Sequence, residues 1–285
     1  MGRSETIGHA PTAKGVTPLP ATIAAPPAVH GFILDGPALA PALCLRLAGA
    51  LRRAVMARVR DTLGLGPQDG LPAFFCGHQS DGAPVRPGHH DHLFFLADPG
   101  PPARVLIVPP SHAEHRPPSP EECGHRETLV KALAGMTHLI AGADGVFTLH
   151  PQDRPSPADP VLGSGLYWRS ATAFHPPRHP KRGDDPQAFL TALIAKECLA
   201  RALPLPAIKI IALRRGARDG LAALAHLTFP KPVSGPILLG RDAHRGGGVF
   251  LLGAVRRPPA EESLPSREGS ADSNDSRSAR NEPII

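Results

Sequence analysis

Three consecutive glycines, Gly246 to Gly248, stand between two short apolar runs, Pro236–Leu239 and Val249–Leu252. They constrain this chain more than any other feature. A backbone without Cβ atoms can turn through positive φ and can be approached closely by another backbone. Successive amide groups in such a turn form a concavity suited to a phosphate. Arg241, His244 and Arg245 flank the glycines and supply cationic or near-neutral donors. The stretch from Val233 to Phe250 therefore reads as a loop for an RNA backbone. The plainer alternative is a glycine-rich hairpin turn, a common use of clustered glycine.

Charge bears on this choice. The 285 residues carry a formal charge of +6. Residues 258–285 hold three arginines against six acidic residues, and the first 28 residues add one net positive charge, which leaves +8 on residues 29–257. A basic body with its cations in clusters favours a polyanionic partner, although a basic soluble enzyme has the same balance. One Trp and one Tyr are too few for a broad base-stacking sheet, so backbone contacts must supply most of any affinity for nucleic acid. The four cysteines, Cys44, Cys76, Cys123 and Cys198, show no CxxC and read as buried thiols of a reducing, cytoplasmic compartment. No apolar run reaches membrane-spanning length and no signal-peptide core is present.

Periodicity sets out the elements in order. Residues 1–28, rich in Ala, Pro and Thr, read as a disordered leader. Val29–Leu34 reads as a strand and Leu39–Leu63 as a helix whose Arg46, Arg52, Arg53, Arg58 and Arg60 lie off its apolar face. Those arginines suit a solvated face or the wall of an RNA groove. Strands follow at Leu93–Ala97 and Arg104–Val108. Ser119-Pro120-Glu121-Glu122 predicts a helix start with a full capping box, continued through Leu129, Leu133, Met136 and Ile140. Val146–Leu149 and Leu166–Ser170 read as strands, Asp184–Cys198 as a capped helix, and Ala207–Leu213 and Leu224–Phe229 as strands. Residues 258–285 read as a disordered acidic tail. Strand pairs alternating with single helices indicate an α+β chain of split βαβ, ferredoxin-like type, in two copies: 29–150 and 151–257, the second carrying the glycine-rich loop.

Three segments occur in one order: FFCGHQSDGAPVRPGHHDHLFFL (74–96), WRSATAFHPPRHPKR (168–182) and GPILLGRDAHRGGGVF (235–250). With the opening FILDGPALAP they resemble the CRISPR-associated RAMP protein of subtype I-G (formerly I-U). In that family a crRNA-processing endoribonuclease is fused to the subunit that holds the 5′ handle of crRNA. The likeness runs from about Val29 to Val255 and covers the endoribonuclease-like half alone. Arg245 stands where a Phe is common in the family. The resemblance implies tandem ferredoxin-like (RAMP, RRM-like) domains, a C-terminal glycine-rich loop on RNA and cleavage of CRISPR repeat RNA without metal or other cofactor. It also implies crRNA as partner, with other type I effector subunits as further ones. A crRNA-binding subunit that does not cleave is the second reading.

Such cleavage uses the adjacent 2′-OH as nucleophile. It needs a base, an acid and a cation for the phosphorane charge, and imidazole serves the first two roles because it titrates near neutrality. The family's Gly-His turn and His-x-His strand start fall on His78, His90 and His92, which become the expected catalytic group. Surface histidines bridging loops are the bland alternative. A zinc site from Cys76, His78, His90 and His92 lacks standard spacing, and the pairing of His78-x-Ser80 with His226-x-Thr228 is a chance-level match to 2H phosphoesterases. Trp168 and Arg169 read as a base-stacking pair. Arg178, His179, Lys181 and Arg182 read as phosphate contacts, with Arg178 and Arg182 the bidentate clamps. Arg241, His244, Arg245, Gly246, Gly247 and Gly248 complete the expected RNA-binding set.

Overall fold

A computed structural model of the chain describes residues 28–79, 83, 91–152, 158–216 and 220–253. The leader up to residue 27, the acidic tail and His90 lie outside the described residues.

The first part of the chain runs β1 (His30–Asp35), α1 (Cys44–Thr62), the single-turn α2 (Ala73–Cys76), β2 (Phe94–Asp98), β3 (Arg104–Val108), the single-turn α3 (Pro110–Ala113), α4 (Pro120–Leu133), β4 (His138–Ile140) and β5 (Val146–Pro151). Its five strands form one antiparallel sheet, ordered β2-β3-β1-β5-β4. α1 buries Leu47, Leu51, Val55 and Val59, one residue per turn, against Phe95, Val105 and Ile107 of the sheet and Leu129 of α4. The second part runs β6 (Ser164–Ser170), α5 (Pro186–Ala200), β7 (Ala207–Gly216), β8 (Gly220–Ser234), β9 (Ile237–Leu238) and β10 (Val249–Leu252). Its antiparallel sheet is ordered β7-β8-β6-β10-β9. α5 lays Leu190, Leu193, Ile194 and Cys198 on it, and the Asp185 carboxylate caps the helix by accepting from Gln187 N and Ala188 N at 3.2 and 3.0 Å.

Four expectations change here. α4 stops at Leu133 because Gly135 takes a φ of +70°, so His138–Ile140 becomes edge strand β4 and Ile140 is exposed rather than buried. Only half of the capping box forms. Ser119 Oγ accepts from Glu122 N at 3.1 Å, but the Glu122 carboxylate, 4% exposed, turns to Ser111 N (3.1 Å) and Arg116 Nη1 (3.0 Å). β8 also outruns its expected end. Pro230 and Pro232 sit where the register between β6 and β8 shifts, a place where a ladder N–H is dispensable. Among the cysteines Cys44, Cys76 and Cys198 are buried, but Cys123 is exposed on α4. No helix among the described residues is long and apolar enough to cross a membrane.

Alternation along β2 and β3 gives the first sheet a second apolar face. Phe94, Leu96, Leu106 and Val108 point away from α1 and pack with Val161, Leu238, Ala243 and Val249. This third cluster joins the two sheets and fixes the β9–β10 connection against β2. Beside it lies a buried charge group. Arg104 Nε donates to Asp98 Oδ2 at 3.0 Å and Nη2 to Asp159 Oδ1 at 2.7 Å, while Asp159 also accepts from Val161 N and Leu162 N, each at 2.8 Å. Burial alone would raise the Asp159 pKa; the Arg104 and backbone hydrogen bonds overcome it and hold the carboxyl below its ordinary value. Arg104→Ala strands two buried carboxylates and is expected to lower stability by about 3–5 kcal/mol in denaturant titration. A loss under about 1 kcal/mol would show the group to be solvated instead.

Candidate nucleic-acid interface

The site is assembled from the turn after α2, the start of β2, the middle of α1 and the β9–β10 connection. α2 ends at Gly77, whose N–H returns to Ala73 O at 2.8 Å with φ at +77°. A Cβ at Gly77 would stand 2.8 Å from His92 Nε2, so glycine is required both for the left-handed turn and for the close approach of that ring. His78, next in the chain, is exposed. Its Nδ1 lies 3.0 Å from Cys76 O, and that same carbonyl accepts from Arg52 Nη2 of α1 at 2.8 Å. A contact to a carbonyl needs hydrogen on Nδ1, which leaves Nε2 as the basic nitrogen of the neutral ring.

His92 lies in the bend two residues before Phe94, the first residue of β2. His244 inserts between them. Its ring is 3.5 Å from that of His92 at an interplanar angle of 13°, and 3.8 Å from that of Phe94 at 21°. Its Nδ1 lies 3.2 Å from Leu93 O. His92, just ahead of β2, and His244, in the loop before Gly246, thus meet. Burial, then the Arg52 charge and His78, push the His92 pKa down to about 4, so at neutral pH this ring is uncharged. Its Nδ1 finds no partner among the described residues.

Arg52 faces Arg245 electrostatically, and burial together with that like charge lowers the Arg52 pKa. Arg46, Arg52, Arg53 and Arg245 line a depression of about 510 Å³ that includes Asp144, which Arg46 pairs at 2.6 Å. Arg58 and Arg60 have another task. Arg58 Nε donates to Ala132 O at 2.6 Å and Arg60 Nη1 to Asp69 O at 2.9 Å, so one holds the end of α4 and the other the turn after α1. The arginine face of α1 therefore divides into a groove wall and a structural half, a division that spacing alone does not reveal.

The glycine loop is not an open phosphate cradle. Gly246, Gly247 and Gly248 are buried, and their N–H groups donate to Ala243 O, Asp242 O and Ala173 O at 3.3, 3.0 and 3.0 Å. A Cβ on Gly246 would meet Ala48 Cβ at 3.2 Å and Phe95 O at 3.3 Å; one on Gly247 would meet Asp242 Cβ at 2.6 Å. The close backbone that the glycines admit is the protein's own. Trp168 likewise departs from expectation. It is 1% exposed within the second core, with Nε1 donating to Gly165 O at 3.1 Å, so its ring is not presented to a base.

The remaining expected contacts are on the surface. Arg169 is exposed on β6 and Arg178 is exposed with its guanidinium 5.5 Å over the Phe189 ring. His179, Lys181 and Arg182 line, with Arg215, a groove of about 570 Å³. Arg241 and Arg245 both lean on Asp242, at 3.6 and 3.1 Å. Among the described residues no group of three or more His, Cys, Asp or Glu side chains is gathered as a metal site.

His30 and His115 share the behaviour of His92: burial first, then neighbouring positive groups, holds each near pKa 4. A histidine with a depressed folded pKa binds its proton more readily when unfolded. Stability is therefore fully present above about pH 6.5 and falls as pH drops toward 4, by roughly 1.4 kcal/mol per pH unit for each ring. Urea midpoints measured from pH 7 to pH 4 are expected to fall steeply, and a flat profile would contradict these neutral, buried rings.

These features define an α+β protein of two antiparallel sheets with an imidazole group joined through Arg52 to an arginine-lined depression. No protein-family model matches the chain, and no curated protein matches it. Among solved structures it is similar to a Cas6-related protein from Pyrococcus furiosus, at 10% identity and a TM-score of 0.38 over 79% of this chain and 98% of that one. It is also similar to Csf5, described as a CRISPR-Cas type IV Cas6 crRNA endonuclease, at 15% identity and a TM-score of 0.35 over 79% of this chain and 98% of that one.

Proposed function

We propose that the chain is an RNA-processing endoribonuclease that cuts CRISPR repeat RNA by 2′-OH attack. The observation that carries this reading is the grouping of His78, Arg52 and the His92–His244 stack beside Arg245. An exposed imidazole with a basic Nε2 next to two guanidinium groups suits proton abstraction at an anionic backbone. In this scheme His78 takes the 2′ proton and the 2′ oxygen attacks phosphorus. Arg52 and Arg245 offset the charge of the phosphorane. The P–O5′ bond breaks with a proton supplied to O5′, giving a 2′,3′-cyclic phosphate and a 5′-OH. His90 is assigned the acid role. The neutral, stacked His92 positions His244 and the turn at Gly77.

Both halves read as ferredoxin-like. In each, the first strand lies between the third strand and the last, with a helix after the first strand. In the second half the β9–β10 loop stands where a second helix is usual. Boundaries of 29–150 and 151–257, membership of the subtype I-G type, a cytoplasmic setting and contact with other effector subunits belong to the same proposal. Arg169, Arg178, His179, Lys181, Arg182 and Arg241 serve as backbone contacts away from the cut.

One observation favours the second reading, a crRNA-holding subunit without cleavage: His92 and His244 are locked face to face and neither is free to move with a proton. Incubating the full chain with end-labelled repeat hairpin RNA in excess chelator separates the two. Cutting supports the nuclease, retention without cutting supports the holding subunit, and neither result would remove RNA as the partner.

A further inference from the structure

The second sheet has a face that the imidazole group does not use. Ile208, Leu227 and Trp168 lie side by side across β7, β8 and β6 and point into the core under α5. Alternation sends their neighbours to the opposite face. Two cross-strand rows result there, Ala207–Thr228–Tyr167 and Lys209–His226–Arg169. Lys209, His226 and Arg169 are all exposed, and Tyr167 beside them is 37% exposed. Like charges side by side across strands destabilise a sheet. This row nonetheless holds two cations about 10 Å apart, two strand spacings, with an imidazole between them. None of the three forms an ion pair or side-chain hydrogen bond with another described residue. Exposed arginines elsewhere are met by acids, Arg46 by Asp144 at 2.6 Å and Arg245 by Asp242 at 3.1 Å. A cationic stripe without acids is the electrostatic footprint of an anionic ligand.

We infer that this face binds single-stranded RNA, with one base stacked on the Tyr167 ring and the neighbouring phosphates on the Lys209–His226–Arg169 row. The inference rests on the RNA reading above and gives it a second contact surface. Every base has a π-face, so a single exposed ring serves any sequence. A paired stem keeps its bases stacked inside and offers Tyr167 nothing, which favours an unpaired strand. Arg169 suits a phosphate as a bidentate fork and Lys209 as a point charge. An acidic protein segment would satisfy the cations and leave the ring idle. Chain order sets Trp168 beside Arg169, but alternation on β6 turns Trp168 inward and leaves Tyr167 as the aromatic on the arginine's side.

The row continues onto β10, where Leu251 lies opposite Arg169. Leu251 packs against the cluster that joins the two sheets, and that cluster contains Phe94, the ring on which His244 stacks. The cations therefore lead from β7, the free edge of the second sheet, toward the imidazole group. A strand held along them is anchored on the same side of the junction as the phosphodiester assigned to His78.

Fluorescence anisotropy of the full chain with labelled oligouridine tests this, because that ligand needs neither a repeat sequence nor cleavage. Tyr167→Ala is expected to weaken binding about fivefold or more, and Tyr167→Phe to hold it within about twofold. Arg169→Gln combined with Lys209→Gln is expected to flatten the slope of log affinity against log salt by about 1.4, roughly 0.7 for each lost phosphate contact. That double variant removes two exposed cations that repel each other, so it is expected to melt no lower than the parent. Should Tyr167→Ala not fold, Tyr167→Leu keeps an apolar side chain and must show the same loss. The inference is overturned if oligouridine does not bind, if these ring variants bind like the parent, or if the salt slope is unchanged. A Tyr167→Phe variant as weak as Tyr167→Ala also counts against stacking. Polyglutamate that binds as tightly as oligouridine, with the same loss in Tyr167→Ala, would assign the face to an acidic protein instead. Oligouridine binding of the expected kind without cleavage of repeat RNA would keep this face and sink the nuclease. Cleavage of repeat RNA by a chain whose oligouridine binding ignores these variants would do the reverse.

Discussion

Replacing His78 by Ala is expected to slow single-turnover cleavage of repeat RNA by about 10³-fold while leaving RNA affinity within threefold. General acid–base catalysis contributes roughly 10²–10⁴-fold, and His78 is an exposed imidazole that shares the Cys76 carbonyl with Arg52. Affinity should hold because the guanidinium groups of Arg46, Arg52, Arg53 and Arg245, which dominate counterion release, remain in place. His78→Gln serves as a second variant, keeping a polar side chain without a titrating nitrogen. Cleavage within threefold of the parent in both variants would remove His78 from the chemistry. A large loss of affinity would make it a binding residue instead.

Replacing Gly248 by Ala is expected to cost on the order of 3–5 kcal/mol, enough to unfold a marginal domain. Two independent penalties act there. The residue has φ at +58°, which costs a side-chain-bearing residue about 1–2 kcal/mol. The added Cβ would also collide with the Leu239 carbonyl, whose carbon is 2.8 Å away. That carbonyl lies in the stretch that pairs Leu239 N with Gly248 O at 2.9 Å, so relief of the clash opens the β9–β10 pairing. Gly124→Ala is the control: it lies within α4 with nothing within 4 Å of the new methyl, and should gain up to about 1 kcal/mol. Urea titration of both variants checks this. If Gly248→Ala instead left stability unchanged and weakened RNA binding alone, the glycines would have to be reassigned to a phosphate.

The contrast between these residues explains how far the sequence could be read. Local signals carried well. Asp185 caps α5 where Asp184-Asp185-Pro186 promised a helix start, and Arg104–Val108 is a strand at its expected limits. The contact of His92 with His244 joins two segments that the sequence singles out, the histidine-bearing stretch and the glycine loop. Burial was less legible. Whether Gly246–Gly248 face a phosphate or Leu239 depends on the first sheet having two apolar faces, a property of β2 and β3 some 140 residues earlier in the chain. Trp168 was misread for a related reason: a lone indole on a strand looks available until the core under α5 takes it in. Arg201 gave no signal at all. It follows the last turn of α5, and its guanidinium is buried near Phe94 without a hydrogen-bond partner among the described residues.

The claim on which the functional account stands is that the two halves of the chain address one RNA phosphate, Arg52 from α1 and Arg245 from the glycine loop. A double-mutant cycle on RNA affinity measures this directly, using Arg52→Ala, Arg245→Ala and the pair at fixed salt. Two guanidinium groups on one phosphate should be coupled by about 1 kcal/mol or more, with the pair losing less than the sum of the singles. Strict additivity, or two singles that leave affinity and its salt dependence unchanged, would contradict it.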